Sequence, residues 1–328
     1  MYIERIAPQP NIFFQNQSKR ELGAWTGFFL VIGCALYRNL VSRPFWLDAY
    51  LLYVPGIFFI LPLILVIACS QITKLSITRL VLSAWIVFVW LCPLEARIED
   101  QQNGPYRIVS INIQSHVTDL SIALRDLRAL NADFICIQEI WHRRELVSIE
   151  NALKGYRVLG AASKDFRRQN FNEGTFVAVR QDWKISNSIL KEEFAILEVS
   201  RSAEKFNIAS IHGPRSSHFG PTDVVQTAQE QRDTAIELSN ELKNSSSPTV
   251  IAGDFNSPES GPAFKILDAN YHQAFKQAGS GLGLTFPSGF PLARIDHVLG
   301  SKQIKFTGYT TRDFGSDHLG IIVHFSED

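Results

Sequence analysis

Cysteine is scarce in this chain of 328 residues, and its four copies are poorly placed for crosslinking. Cys34, Cys69 and Cys92 lie in apolar runs, and Cys136 stands alone in the polar part. A disulfide framework in that part is excluded, and no disulfide partner is implied. Net charge is missing as well: 32 Lys and Arg balance 32 Asp and Glu. Bulk electrostatics therefore selects no partner. Residues 1–100 carry only 8 of the cations and 6 of the anions, which leaves the remainder slightly acidic and gives strong non-specific binding to a polyanion no support. The His and Cys clustering of a zinc centre is absent, and so are internal repeats and low-complexity tracts.

Charge of either sign is also absent from Ala49 to Thr73, a run long enough to cross about 30 Å of hydrocarbon as a helix. Pro55 and Pro62 within it suit a kinked membrane helix better than a soluble core helix. A shorter apolar segment lies between Glu21 and Arg38. A third runs from Leu75 to Leu94, with Arg79 near one end where its side chain can reach the headgroups. The expectation is an amino-terminal cytoplasmic segment over 1–21, three transmembrane helices within 22–94, and a linker over 95–105 that ends in a Gly-Pro pair. With the amino terminus inside, Arg5, Lys19, Arg20, Lys74 and Arg79 are cytoplasmic, against Arg38, Arg43, Arg97 and Arg107 outside. The positive-inside rule then makes this a multi-pass protein of the cell membrane with residues 106–328 facing out.

From Tyr106 the pattern becomes that of a globular α+β domain. YRIVSINIQ alternates as a strand and ends near Asn112; Thr118 is placed to cap a helix bearing Leu120, Leu124, Leu127 and Leu130 on one face. ADFICIQEI reads as a buried strand delivering Glu139, and an unpaired carboxylate there is costly to bury. Strands follow over Glu173–Arg180 and Lys205–Pro214, the latter ending at His212. The segment after Pro221 is a surface helix packing on a sheet and carries no chemistry. Ser260 precedes a short helix, ARIDHVLGS is a strand bearing Asp296, and SDHLGIIVHF places Asp317 and His318 before a final strand.

The stretch around which these elements are organised is PTVIAGDFNSP, Pro248 to Pro258. A short apolar run breaks at Gly253 and presents Asp254 and Asn256 at a turn. A carboxylate can orient or deprotonate a water, and a neutral amide can hold an oxyanion. Alone, the pair also fits an ordinary Asx turn.

The order of motifs separates these readings. SINI, ICIQE, SIHGP, GDFN, RIDHV and SDH follow one another, each where a strand meets a loop. In this order the chain resembles the endonuclease/exonuclease/phosphatase superfamily from Tyr106 to Phe325. The resemblance implies a four-layer sandwich of two mixed β-sheets flanked by helices, with a site where strand ends converge. It implies a Mg²⁺-dependent phosphoesterase, with Mn²⁺ as a substitute, held by Glu139 with Asn112 at or near the ion and Asp317 as a further carboxylate. Few protein oxygens and several waters suit Mg²⁺. Asp254 resembles the carboxylate that orients or activates the attacking water, and Asn256 the amide that holds the scissile phosphate. His318 resembles the catalytic histidine, paired with Asp296, and His212 a second one used as a general acid, with Glu173 as its partner. Arg215 and Arg294 are further candidates for phosphate contact. Whether Asp254 or His318 is the base stays open at this level.

The motifs do not choose a substrate, but the anchor bears on it. Tethering beside a bilayer raises the effective concentration towards lipid-borne phosphates, so a lipid-linked phosphomonoester or phosphodiester is the first expectation. A membrane-tethered nuclease is the alternative. It rests on the interleaved cations and aromatics of Lys164–Phe171 and on Arg143 and Arg144. An inactive scaffold would have lost metal or base residues, whereas Glu139, Asp254, Asn256, Asp296 and His318 are all present.

Overall fold

The computed structural model describes residues 104–114, 119–161, 170–215 and 221–328, with 170–173 and 221 described in backbone only. Segment 1–21, the expected spans within 22–94, and the linker up to residue 103 lie outside these residues. Among the described residues, no helix is long and apolar enough to cross a membrane.

In chain order the domain runs β1 (Tyr106–Asn112), α1 (Leu120–Ala129), β2 (Phe134–His142), α2 (Arg143–Ala152), β3 (Tyr156–Ala161), β4 (Asn170–Arg180), β5 (Lys184–Leu190), β6 (Phe194–Arg201) and β7 (Glu204–His212). It continues with α3 (Pro221–Leu242), β8 (Thr249–Asp254), α4 (Pro262–Leu267), β9 (Tyr271–Gln273), α5 (Ala274–Ala278), β10 (Asp296–Ser301), β11 (Ile304–Asp313) and β12 (Leu319–Glu327). Two six-stranded sheets result, ordered β11-β12-β1-β2-β4-β3 and β5-β6-β7-β8-β10-β9. Each is antiparallel except for one central parallel pair, β1 with β2 and β7 with β8.

Strand alternation sorts the side chains into layers. Ile108, Phe134, Val177, Leu197, Ile208, Val250, Val298 and Val323 point inward and form the core between the sheets. Val109, Ile135 and Ile137 point outward beneath Ala123, Leu124 and Leu127 of α1 and Ile149 of α2. On the second sheet, Ile251 and Leu299 meet Ala235 and Leu238 of α3 and Phe264 of α4. The result is the expected sandwich of two mixed sheets flanked by helices. Two caps differ from expectation. Asp119 caps α1 by accepting the Ser121 N–H, since its carboxylate sits one residue nearer than Thr118; Gly261, not Ser260, is the N-cap of α4, where Pro262 needs no donor.

Gly253 has a role that only a hydrogen side chain allows. A Cβ there would lie 1.9 Å from the Ile211 carbonyl oxygen of the neighbouring strand. Gly253→Ala must push β7 and β8 apart at the end that carries Asp254, with an expected loss of about 1–3 kcal/mol by overpacking. Urea denaturation of the variant checks it; an unchanged midpoint would show that the strands separate without cost.

His297, one residue past Asp296, points to the outer layer. It packs on the Phe255 and Phe264 rings at 5.6 and 4.5 Å between centroids, and its Nε2–H donates to the Ser257 carbonyl at 3.1 Å. Burial, aided by the charge of Arg294, pushes its pKa well below 6.5. The neutral ring therefore contributes stability that is complete above about pH 6.5 and declines as the unfolded chain takes up a proton below it. Between pH 6.5 and 5, His297→Gln is expected to remove up to about 1.4 kcal/mol per pH unit from the slope of unfolding free energy. Equal slopes for the two proteins would refute this assignment.

Candidate active site

The inner faces of both sheets change from apolar to polar towards one end. On β1 the inward series Ile108, Ser110 continues to Asn112; on β2, Phe134 and Cys136 lead to Gln138; on β7, Ile208 and Ser210 lead to His212; on β8, Val250 and Ala252 lead to Asp254. Register completes the grouping. His212 stands opposite Asp254, Asp254 opposite Asp296, and Asn112 opposite Gln138. Parallel pairing at the centre of each sheet brings these carboxy-terminal strand ends to one edge.

Glu139 is an exception to the alternation, which would send it outward with Ile135 and Ile137. Its φ is +57°, and the β2 to β4 register shifts between Ile137 and Ile140. This irregularity brings the carboxylate to the polar end, where Oε1 accepts a hydrogen bond from Asn112 Nδ2 at 3.0 Å. Asn256, at φ +48°, is also left-handed. Backbone held in this region by non-glycine residues is a cost that surrounding contacts must offset.

Asp254 is the centre of the site and is fully buried. Its Oδ1 accepts the Asn256 N–H at 2.7 Å, closing an Asx turn, and its Oδ2 accepts Asn112 Nδ2 at 3.0 Å. The same Oδ2 lies 3.8 Å from His318 Nε2 and 3.9 Å from His212 Nε2. His318 Nδ1 meets Asp296 Oδ2 at 2.9 Å, and its ring lies 4.7 Å from that of Phe286. Asn112 thus ties two carboxylates together through its N–H₂, a bridging role more specific than the expected position near the ion.

Burial, reinforced by the charge of Asp296, raises the pKa of Asp254 to about 6, against the opposing pull of His318, His212 and Asn112. For His318, burial favours the neutral ring, but Asp296, Asp254 and Asp317 outweigh it and hold the imidazolium, with a pKa raised to about 10. His212 is shifted the other way, chiefly by burial, against the attraction of Asp254 and Glu139. At Glu139, burial is outweighed by the Asn112 hydrogen bond, His212, Arg215 and Trp141, so the carboxyl lies below its ordinary range.

The structure brings together Asn112, Glu139, His212, Asp254, Asn256, Asp296 and His318. Arg215 joins them, with Nη1 3.4 Å from Glu139 Oε1. Asp317 adjoins them through Ser316, whose Oγ lies 3.3 Å from Asp317 Oδ1 and 2.7 Å from the Asn112 carbonyl. Arg294 is not brought to the cluster. Its Nη2 meets Glu259 Oε2 at 2.6 Å and its guanidinium lies 3.9 Å from the Phe275 ring centroid, so contact with a phosphate would have to break that pair. The side chain of Glu173 and residues 164–169 of the cationic stretch lie outside what is described. Trp141, whose Nε1–H donates to Glu139 Oε2 at 3.4 Å, joins the site without having been singled out; its place two residues after Glu139 was the available signal.

Ligand atoms of Glu139, His212 and Asp254 all lie within 4.8 Å of one another, and so do those of Asp254, Asp296 and His318. In the second group the short His318 to Asp296 contact already satisfies Nδ1. The first offers two carboxylates and one ring nitrogen, a mainly oxygen donor set that fits a hard divalent cation. The raised pKa of Asp254 is the mark of a buried carboxylate that a cation would relieve.

A family model described as the endonuclease/exonuclease/phosphatase family matches residues 109–318. No curated protein sequence matches the chain. Among solved structures, the human Nocturnin catalytic domain with bound sulfate is similar at 18% identity and a TM-score of 0.56, covering 70% of this chain and 96% of that one. A mannosyl-6-phosphatase of Bacteroides thetaiotaomicron VPI-5482 is similar at 15% identity and a TM-score of 0.52, covering 67% and 99%. D. rerio TDP2 complexed with a single-strand DNA product is similar at 16% identity and a TM-score of 0.53, covering 67% and 98%. At these identities the structures share the fold.

Proposed function

This chain belongs to the endonuclease/exonuclease/phosphatase family, whose members are hydrolases acting on phosphoester bonds, and from that premise we propose a membrane-anchored, Mg²⁺-dependent phosphoesterase acting on an isolated, lipid-linked phosphate ester. The observation that carries the chemistry is the convergence of Asn112, Glu139, Asp254, Asp296 and His318 at one sheet edge. Glu139 and Asp254 would hold the divalent ion, which when bound neutralises charge developing on the phosphate oxygens. Asn112 keeps the two carboxylates in register. Asp254, whose Oδ2 lies 3.8 Å from His318 Nε2 and 3.9 Å from His212 Nε2, is the candidate acceptor of the attacking water's proton. His318, fixed as an imidazolium by Asp296, donates from Nε2 to a phosphate oxygen, and Asn256 adds a neutral donor. His212 Nε2 lies 3.9 Å from the same Oδ2, and its neutral ring is the candidate hydrogen-bonding partner of the departing oxygen.

The choice of substrate rests on the expected anchor. A cleft of about 540 Å³ beside His212 and Arg215 is lined by Glu192 and Glu193 and by Glu230, Asp233 and Glu237 of α3. Lys191 pairs with Glu237 at 2.7 Å and Arg232 with Asp233 at 3.8 Å, however, so its mixed charge does not select between substrates. A tethered nuclease is the second reading. Arg143 and Arg144 at the start of α2, four and five residues after Glu139, favour it, as does the likeness to a TDP2 that holds DNA product.

The test is a phosphoester screen of the full-length chain in detergent, with Mg²⁺ and with EDTA, spanning lipid phosphates, phosphosugars and nucleic acids. Mg²⁺-dependent turnover highest on lipid-borne esters supports the proposal. Turnover confined to nucleic acid replaces it with the nuclease, and none on any substrate favours a scaffold. Protease accessibility in sealed vesicles tests the outward orientation of residues 106–328.

A further inference from the structure

α3 packs behind the second sheet, on the side away from the inner polar end, and its sequence suggests only a structural role. One of its residues, Gln231, is nevertheless polar and 2% exposed. Its Nε2 donates to the Pro214 carbonyl at 2.8 Å and to the Asn256 carbonyl at 2.9 Å. These carbonyls belong to two different loops. One follows β7, directly after His212, and carries Arg215; the other follows β8, directly after Asp254, and carries Asn256. Both N–H bonds of one amide are spent on joining them, while its Oε1 has no hydrogen-bond partner.

The two loops also touch directly, through Gly213 N–H to the Asp254 carbonyl at 2.8 Å and Asn256 Nδ2 to the Gly213 carbonyl at 2.9 Å. Those bonds fix how far apart the loops lie, but both run through Gly213, and neither engages the Asn256 carbonyl. The bond from Gln231 restrains the peptide after Asn256. It holds the carbonyl of the residue whose φ is +48°, so it bears on the direction in which the Asn256 amide points.

We propose that Gln231 is a positioning residue for phosphoester hydrolysis, acting from outside the site by locking Asn256 to the His212 loop. The proposal rests on the reading of Asn256 as a phosphate-holding group. Gln231 touches no reacting atom, so its influence passes through Asn256. A misplacement on the order of 1 Å can cost about 10²-fold in rate. For Gln231→Met, which keeps the length and removes both donors, kcat is expected to fall about 10- to 100-fold with KM within about two-fold, because the loss concerns orientation and not binding. Gln231→Glu is the second variant. An ionised carboxylate cannot donate to either carbonyl, whereas a protonated one can restore one bond, so its activity relative to wild type should recover as pH falls.

A double-mutant cycle with Asn256→Ala separates positioning from general damage. If Gln231 works through Asn256, Gln231→Met causes little further loss of kcat once Asn256 is gone. Additive losses would overturn the proposal, and so would an unchanged kcat in Gln231→Met. Hydrogen exchange on the full-length chain gives a readout independent of turnover. Amides of Gly213 and Arg215 and of residues 254–257 should exchange faster in Gln231→Met while those of β6 and β10 stay protected. Unchanged exchange at the two loops refutes the clamp even if no substrate has been found. Faster exchange there with inactive wild-type protein would instead sustain the clamp and count against the phosphoesterase reading.

Discussion

Replacing His318 by Gln is expected to lower kcat by about 10²- to 10⁴-fold, the range removed with a positioned acid or base. The size follows from where the ring sits: Nδ1 is 2.9 Å from Asp296, Nε2 is 3.8 Å from Asp254, and Phe286 covers one side. Gln keeps much of the volume and loses the cation. Asp296→Asn should reproduce part of the loss, and the double variant should be little worse than His318→Gln, because the carboxylate acts through the ring. The pH profile supplies a further check. If the imidazolium is the working form, activity is lost as pH rises through the His318 pKa, which the neighbouring carboxylates hold well above 6.5. Removing Asp296 lowers that pKa, so the alkaline fall must move to lower pH. Additive losses, or a fall that does not move, would show that the two residues do not form a unit.

The dyad was legible only through the resemblance, which paired His318 with Asp296; strand position showed no more than that both stand at strand ends within short motifs. For Asn112 and Asp254, the inward direction follows from a period of two along SINI and VIAGD. Glu139 differs. Counting along ICIQE turns it outward, and only the resemblance to the family placed it in the site; the left-handed backbone that brings it there is not encoded by any residue type that favours φ > 0, as Gly or Asn would. The partners of Arg294, Glu259 and Phe275, come from distant segments that no local pattern reveals. Gln231 lay beyond sequence reasoning, since one glutamine in an amphipathic helix of 22 residues carries no signal. Strands β3, β5, β6, β9 and β11 were also not read from the sequence; β5 alternates weakly and is largely exposed, and β9 is three residues long.

Asp254→Asn is expected to abolish turnover and, without metal, to stabilise the fold. Both effects have one cause. The proposed reaction needs an ionised carboxylate at the end of β8, yet Asp254 has no exposed surface and faces the buried Asp296 and Glu139. Desolvating a charge costs several kcal/mol after relaxation. The amide would forfeit the hydrogen bond from Asn112, worth about 1 kcal/mol, and the attraction of His318 3.8 Å away, but burial and Asp296 outweigh these and raise the pKa of Asp254 to about 6. The desolvation cost is larger, so Asn should raise the melting temperature of the metal-free protein by several degrees. The advantage depends on pH. Above about 6, the raised pKa of Asp254, the wild type carries the full cost of the ionised group; as pH falls from there towards 3.8 the folded state takes up the proton first, and the gap closes. Divalent metal should reverse the order, because a cation bound between Glu139 and Asp254 stabilises only the chain that retains both carboxylates. Thermal melts of the two proteins at pH 7.5 and pH 5, with Mg²⁺ and with EDTA, contain all four comparisons. A wild type that is the more stable without metal at pH 7.5 would mean that Asp254 is compensated within the fold, and the argument for a cation beside it would fail.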